Sequence, residues 1–372
     1  MKVSEPNKKT RVLLNALHAK SGGGITYLRN MLPRLAGDDR LDLHLLIHSD
    51  QRTLFTPLPP SVTLHEVNFR QGFWGRVLWE QTRLPYLARR LGIDITFSPA
   101  NFGPLFAPGP VILLRNAVEV GRNERRPLKR LYWITLGFMT ALSVRRSRRV
   151  IAVSDYAGKS LTFGLIKKSA DKLSIIHHGI DPLFTPATVG PDDPPFLLAV
   201  GDLYLQKNFE TLIEAFALVT QSHPHLILKI AGRAVDENYR KQLETAVQRL
   251  GLKEFVEFLG EVGRDDLVSL YQRCRVFVFP SLVETFGQPL AEAMACGATI
   301  ASSRTTAMPE IVGDAALFFD PLDAQDMAQN IVDLLEDDML SRDLATRGAL
   351  RAKKFSWDDT ARHTADVLVS VD

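Results

Sequence analysis

Short β-branched and Leu-rich runs alternate with segments of helical period from one end of the chain to the other. Arg11–Leu17, Leu41–Ile47, Val62–Val67, Ile93–Phe97, Pro110–Leu114, Val150–Val153 and Leu173–Ile176 read as strands. The alternation then restarts with strand Phe196–Val200, a helix near Phe209–Thr220, strand Leu226–Ala231, a helix near Asp236–Leu250 and strand Phe255–Leu259. Helix Asp265–Arg273, strand Val276–Phe279, helix Gln288–Ala295 and strand Ala298–Ala301 follow. Strands separated by helices need crossover connections, so both series predict parallel sheets in doubly wound α/β domains. The Pro-rich break at Thr185–Pro195 (TPATVGPDDPP) reads as the linker between them. The chain has 372 residues, more than the roughly 250–300 that one core serves, so two domains are expected. We assign residues 1–185 to the first and 186–352 to the second, with 353–372 as a terminal helix. Two such domains facing each other make a cleft, and ligands bind at the carboxyl ends of the strands.

Composition adds little until it is divided by half. At 45% hydrophobic and 23% charged residues the chain is neither disordered nor fibrous. The net charge of +3 conceals a basic first half, +15 over residues 1–185, and an acidic second half, −12 over 186–372. Such halves are expected to meet different partners. Two cysteines, Cys274 and Cys296, lie in apolar segments and read as buried thiols in a reducing compartment. The polar start MKVSEPNKKT does not read as a secretory signal, so the expected location is cytoplasmic.

Candidate chemistry begins at Phe279, where a strand ends in PSLVETFGQPLAEAMACG. Gly287 permits a turn, and Pro289 suits the first turn of the helix that follows. The N–H groups of Thr285 to Gln288 then point out of a helix N-terminus, an end suited to phosphate. Glu284 and Glu292, eight residues apart, can both line one ligand, and a carboxylate accepting from vicinal hydroxyls recognises a sugar or a ribose. This Glu-x7-Glu segment resembles the signature of the retaining glycosyltransferases of family four (glycosyl transferases group one), which have the two-domain GT-B fold. The resemblance extends over the second half and, more weakly, over the first. It implies that Glu292 binds the ribose of a nucleotide donor. It also implies that Glu284, with the backbone around Thr285, Phe286 and Gly287, contacts donor sugar and phosphates.

Ala199-Val-Gly201-Asp202-Leu-Tyr-Leu-Gln-Lys207-Asn208 resembles the family's glycine-to-Lys-Asn turn, whose lysine neutralises the donor diphosphate. A fixed cation there favours the transition state, because charge builds on the leaving phosphate as the glycosidic bond breaks. Asp202 departs from the arginine common in the family, and Arg233, after the next strand, is the candidate replacement. Gly22, Gly23 and Gly24 follow the first strand with a spacing unlike the dinucleotide fingerprint. In the family the matching loop lies across the cleft, near donor phosphates and acceptor. At Leu114-Arg115-Asn116 the family frequently has a histidine that touches the donor sugar; this chain has Asn116, whose amide can still hydrogen-bond a hydroxyl. His178-Gly179-Ile180-Asp181 closes the first domain as in family members, and Ser154 reads as a helix N-cap.

No D-x-D, P-loop, G-x-S-x-G or zinc spacing occurs, and neither a metal nor another cofactor is expected. An acidic second half, and a basic half with few interleaved aromatics, argue against a nucleic-acid partner. From Arg122 to Arg149 there are nine basic residues and one acid, flanking an uncharged stretch of 14 residues, Leu131 to Val144. That is short of the roughly 20 a membrane span needs, but basic clusters gain about 1 kcal/mol per Lys/Arg near anionic headgroups. An anionic membrane surface carrying a lipid-linked acceptor is therefore a candidate partner, with attachment to its inner face; a core helix with solvated arginine ends is the competing reading. The expected activity is metal-independent, retaining transfer of a sugar from a nucleoside diphosphate sugar to an acceptor hydroxyl, in lipopolysaccharide, capsule or other cell-surface glycan assembly. Glu284, Lys207 and Asn116 would serve the reaction. Gly23, Gly24, Gly201, Asp202, Arg233, Thr285, Phe286, Gly287 and Glu292 would hold the donor. A sugar-nucleotide epimerase on the same fold, or a non-catalytic nucleotide-sugar-binding subunit, stands as the alternative.

Overall fold

A computed structural model describes residues 9–20, 22–70, 72–117, 127–166, 171–186 and 194–371, with the side chains of 127–129 excepted. Most of the expected linker, the basic positions of 122–126 and Ser21 lie outside the described residues. The first half contains strands β1 (Thr10–Asn15), β2 (Leu41–His48), β3 (Thr63–Val67), β4 (Ile95–Ser98), β5 (Pro110–Leu114), β6 (Arg149–Ala152) and β7 (Leu173–Ile175). Helices α1 (Gly23–Ala36), α2 (Phe73–Arg90), α3 (Pro127–Arg146) and α4 (Asp155–Leu161) connect them. The second half continues with β8 (Phe196–Val200), α5 (Phe209–Val219), β9 (Ile227–Ala231), α6 (Glu237–Arg249), β10 (Val256–Gly260) and α7 (Arg264–Arg273). It then runs through β11 (Val276–Phe279), α8 (Gln288–Ala295), β12 (Ile300–Ser303), α9 (Met308–Val312) and β13 (Leu317–Phe319). Helices α10 (Ala324–Glu336), α11 (Asp338–Ala352) and α12 (Trp357–Val369) close the chain.

The strands form two sheets, ordered β3-β2-β1-β4-β5-β6-β7 and β10-β9-β8-β11-β12-β13, and every pairing in them is parallel. Helices cover both faces, so central strands carry apolar residues continuously rather than alternately. Val12, Leu13 and Leu14 of β1 and Leu197, Leu198 and Ala199 of β8 are fully buried. Helix α5 adds Phe209, Leu212, Ile213, Phe216 and Val219, positions one helical stripe apart, to the core of its sheet. Burying each such side chain contributes about 1.5–3 kcal/mol.

The chain divides into two compact units, one reaching to Gly179 and resuming at Trp357, the other spanning Ile180–Ser356. The division therefore falls within His-Gly-Ile-Asp rather than at the Pro-rich segment, and local contacts account for it. The Ile180 N–H donates to the Phe355 carbonyl at 3.0 Å, and Ile180 bridges Ser356 in parallel. A Cβ on Gly179 would lie 2.2 Å from the Trp357 nitrogen, so only glycine lets these two stretches pass. Helix α12 belongs to the first unit, where Arg34 meets Asp358 at 2.6 Å and Arg40 meets Asp366 at 2.7 Å.

Candidate functional site

In each sheet the strand order reverses direction once, between β1 and β4 in the first unit and between β8 and β11 in the second. Connections leave such neighbours in opposite directions, which opens a crevice beyond their carboxyl ends. Gly201 and Asp202 follow β8, and Glu284 follows β11, so two segments far apart in sequence meet at this one point.

Their meeting is held by backbone bonds. The Leu282 N–H donates to the Gln206 carbonyl at 2.9 Å, and the Gln206 amide donates back to the Val283 carbonyl. Asn208, in the left-handed conformation with φ 57°, ends the turn Leu205–Lys207. Its amide donates to the carbonyls of Pro280 at 3.1 Å and Pro321 at 2.7 Å. On the other side the Glu284 N–H donates to Thr306 Oγ1 at 3.0 Å. Between these fixed segments Lys207 Nζ donates to Glu284 Oε1 at 2.6 Å, and both side chains are only 14% exposed. The ammonium also stands 5.3 Å from the centre of the Phe279 ring. Gly201 makes room for it, since a Cβ there would be 2.9 Å from Lys207 Cε.

Asp202 does not simply subtract a cation. It grips Arg233 in two-point fashion, with Nη2 to Oδ2 at 2.9 Å and Nε to Oδ1 at 3.2 Å, and also accepts from the Arg233 N–H at 3.3 Å. The guanidinium is thereby aimed and its positive charge reinforced, chiefly by the hydrogen bonds to Asp202. Gly232 is sterically required beside it, because a Cβ would fall 1.9 Å from the Gly201 carbonyl oxygen.

Gly287 caps α8 with φ 84°, a left-handed conformation that glycine adopts without strain. The side chains of Thr285 and Phe286 are buried, Phe286 edge-on to Phe355 at 5.6 Å, so any ligand contact of theirs runs through the backbone. Glu292, on the second turn of α8, accepts from the Tyr271 hydroxyl at 3.2 Å. Burial pushes its carboxyl up to about 7 against the opposing pull of Tyr271, Arg264 and Gln288. Arg264 is paired with Asp181, so the His-Gly-Ile-Asp segment contributes to the surroundings of Glu292. A half-buried carboxyl group held by the Tyr271 hydroxyl is suited to accept from vicinal hydroxyls.

In the first unit Gly22, with φ 59°, starts α1. Gly23 lies directly against Arg115, whose Nη2 would be 2.8 Å from a Cβ at that position. Gln51 holds the loop leading to these glycines, donating to the carbonyls of Ala16 and Ala19 at 2.9 and 2.8 Å. Buried Asn101 holds the turn after β5: its Oδ1 accepts from the N–H groups of Arg115 and Asn116, and its amide donates to the Asn116 carbonyl at 2.6 Å. Asn116 itself is exposed. Burial lowers Arg115 to about 10, still a cation at neutral pH, and lowers His18 to about 3, which keeps its imidazole neutral. Ser154 caps α4 by accepting from the Ala157 N–H at 3.0 Å.

The structure thus joins Gly201, Lys207 and Glu284 in one contact set, and Asp202 with Arg233 in another, both in the second unit. Gly23 and Gly24 lie in the first unit, where Gly23 meets Arg115, the residue before Asn116. Sequence reasoning passed over Arg115, Arg264 and Tyr271. Arg115 stood beside a chosen residue, whereas Arg264 and Tyr271 carry no local signal at all.

Residues 184–351 match the family model described as glycosyl transferases group 1. O-antigen chain mannosyltransferase B of Escherichia coli is 36% identical over 172 residues, 45% of this chain and 44% of that protein. The chain spans 22–44% of the length of the Escherichia coli mannosyltransferases it matches. Sucrose-phosphate synthase from Thermosynechococcus elongatus superposes with TM-score 0.77 at 20% identity, covering 96% of this chain and 98% of that one. Anabaena Alr3699/HepE, in complex with UDP and glucose, gives TM-score 0.75 at 19% identity, over 97% of this chain and 100% of that one. At such identities these two likenesses establish the fold, which is GT-B, with two parallel-sheet α/β domains.

Proposed function

Residues 184–351 belong to glycosyl transferases group 1, and from that premise we propose that the chain transfers a sugar from a nucleoside diphosphate sugar to an acceptor hydroxyl. The observation that carries the reading is the partly buried Lys207–Glu284 pair at the switch point of the second sheet. Lys207 and the Asp202-held Arg233 supply two fixed positive charges on one unit, suited to a departing diphosphate. Fixed charge in a partly dehydrated site stabilises the transition state without reorganisation. In the same reading Glu284 orients the donor sugar while restraining Lys207, Glu292 accepts from the ribose hydroxyls, and the α8 start faces phosphate through its N–H groups.

Retention at the anomeric carbon is read from the family, and a front-face path, in which the leaving phosphate oxygen takes the acceptor proton, suits this set of residues. With cations already in place, the transfer is proposed to proceed without a metal. The mannosyltransferases matched in Escherichia coli favour a hexose donor and an acceptor in cell-surface glycan assembly. Gly23, Gly24 and Asn116, on the first unit, are assigned to the acceptor and donor-sugar side of the reaction.

The test is to incubate the purified chain with nucleoside diphosphate sugars chosen by thermal shift, with and without glycan or lipid-linked acceptors. Transfer to acceptor with release of the nucleoside diphosphate is the expected result. Conversion of donor alone to its epimer, or nucleotide binding without turnover under all conditions, would overturn the reading.

A further inference from the structure

Helix α3 carries apolar residues on both its buried and its exposed side. Leu136, Thr140, Ser143, Val144 and Ser147 on its protein side are buried, whereas Leu131, Ile134 and Phe138, spaced three and four residues apart, are each more than half exposed. Its buried hydroxyls are satisfied locally: Thr140 donates to the Leu136 carbonyl at 2.7 Å and Ser147 to that of Ser143 at 2.7 Å. Ser143 Oγ accepts from the Gly103 N–H at 3.3 Å. An ordinary surface helix turns its apolar stripe to the core. Here Leu136 and Val144 share that place with three hydroxyls, and a second apolar stripe meets solvent.

The stripe is continued by α2. Phe73 contacts Tyr132 edge-on at 4.8 Å and joins the two helices, and Trp74 and Leu78, one helical turn apart, are 62% and 67% exposed. Beside them Phe73, Trp74, Leu78 and Trp79, with Arg70 and Arg83, line a cavity of about 640 Å³. Among the described residues of α2 and α3 the exposed charges are of one sign. Exposed Arg70, Arg83, Arg130, Arg145 and Arg146 border it, while the only carboxylate from residue 67 to 93 is buried Glu80 and residues 127–154 contain none. A contiguous apolar patch of this kind marks an interaction site.

We propose that the α2–α3 face docks on an anionic lipid surface, with Trp74, Leu78, Ile134 and Phe138 entering the headgroup–acyl boundary and a lipid chain taking the α2 cavity. The chemistry selects this partner. Aromatic and aliphatic tips surrounded by arginines, with no exposed carboxylate among the described residues of α2 and α3, complement an apolar layer bounded by phosphates. No helix among the described residues is long and apolar enough to cross a membrane, so the contact is with the surface. The proposal stands independently of the transfer reaction.

Flotation of the purified chain with vesicles tests it, comparing phosphatidylcholine alone with a mixture of phosphatidylcholine and phosphatidylglycerol. The chain should float with the mixed vesicles at low salt and be released by high salt. A Trp74→Ser/Phe138→Ser double variant should lose flotation while keeping nucleoside diphosphate affinity, which shows that it is folded. Arg70→Ser and Arg83→Ser should each weaken partitioning about fivefold, the equivalent of about 1 kcal/mol per arginine at an anionic surface. Lipids brominated along the acyl chain should quench tryptophan fluorescence in the wild type and less in Trp74→Phe. Absence of flotation with the anionic vesicles would overturn the proposal and leave the face to a protein partner; flotation undiminished in the double variant would overturn it as well.

Discussion

The Lys207 ammonium lies 2.6 Å from the Glu284 carboxylate although 77 positions separate them, because β8 and β11 are neighbours at the reversal of the sheet. Lys207→Ala is expected to lower kcat roughly 100-fold with little change in KM, as loss of one transition-state-stabilising donor does. Steady-state kinetics check this; a change confined to KM would mean uniform binding instead. The same substitution leaves Glu284 unpartnered in a largely enclosed place, and urea unfolding should register about 1–3 kcal/mol of lost stability.

Glu292→Ala should weaken nucleoside diphosphate binding by about 1.5–3 kcal/mol, the range for hydrogen bonds to a charged group. Calorimetry with the nucleotide and with the corresponding 2′-deoxynucleotide separates ribose contact from general damage. Unchanged affinity in the variant would remove Glu292 from the ribose.

The raised carboxyl of Glu292 also predicts a pH effect. Its folded value, about 7, exceeds the roughly 4.3 of an unfolded glutamate, so the folded chain holds the proton more tightly. The resulting stability is fully present below the unfolded value and is lost as pH rises through 7. Unfolding free energy of the ligand-free wild type should therefore fall between about pH 4.3 and about pH 7 relative to Glu292→Gln, the interval set by those two values. Parallel urea titrations of the two proteins, showing no divergence across that interval, would contradict it.

Asp202 and Arg233 are 35% and 40% exposed, so breaking their pair should cost less than about 1 kcal/mol of stability. Turnover should respond differently, with Arg233→Ala losing roughly tenfold and Asp202→Ala less, because only the first removes the cation. Equal losses in both would assign Asp202 the larger part, that of holding the guanidinium in place.

Gly232→Ala should be far more damaging than Gly251→Ala. The first puts a Cβ 1.9 Å from a backbone oxygen that cannot swing away, whereas the second, at φ 72°, meets open space. Roughly 3 kcal/mol or more is expected for the clash and about 1 kcal/mol for the left-handed backbone alone. Chemical denaturation of the two variants measures the difference.

Much of the fold was legible because its signals are local. Continuous apolar runs marked β1, β2, β5, β8 and β11, and Gly287 with Pro289 marked the start of α8 to the residue. Strand β4 was displaced by two residues at its start, Ile93 against the observed Ile95. The short strand β13 and helices α9, α10 and α11 were not foreseen; the short elements contain too few positions for a period to emerge. The residues proposed to hold the donor were legible as motifs, each tied to one strand end. That Asp202 would hold Arg233, that Tyr271 would reach Glu292, or that Arg115 would lie against Gly23 was not.

The sequence by itself determined the α/β alternation, the division of charge between the halves and the residue types at the strand ends, since each depends on neighbours a few positions apart. Only the tertiary structure decided which strand ends meet, where the chain passes from one unit to the other, and which side of α3 faces water. Those depend on sheet order and on packing against distant segments. A one-dimensional period records that a helix has two faces, but it does not record which face the rest of the protein will cover.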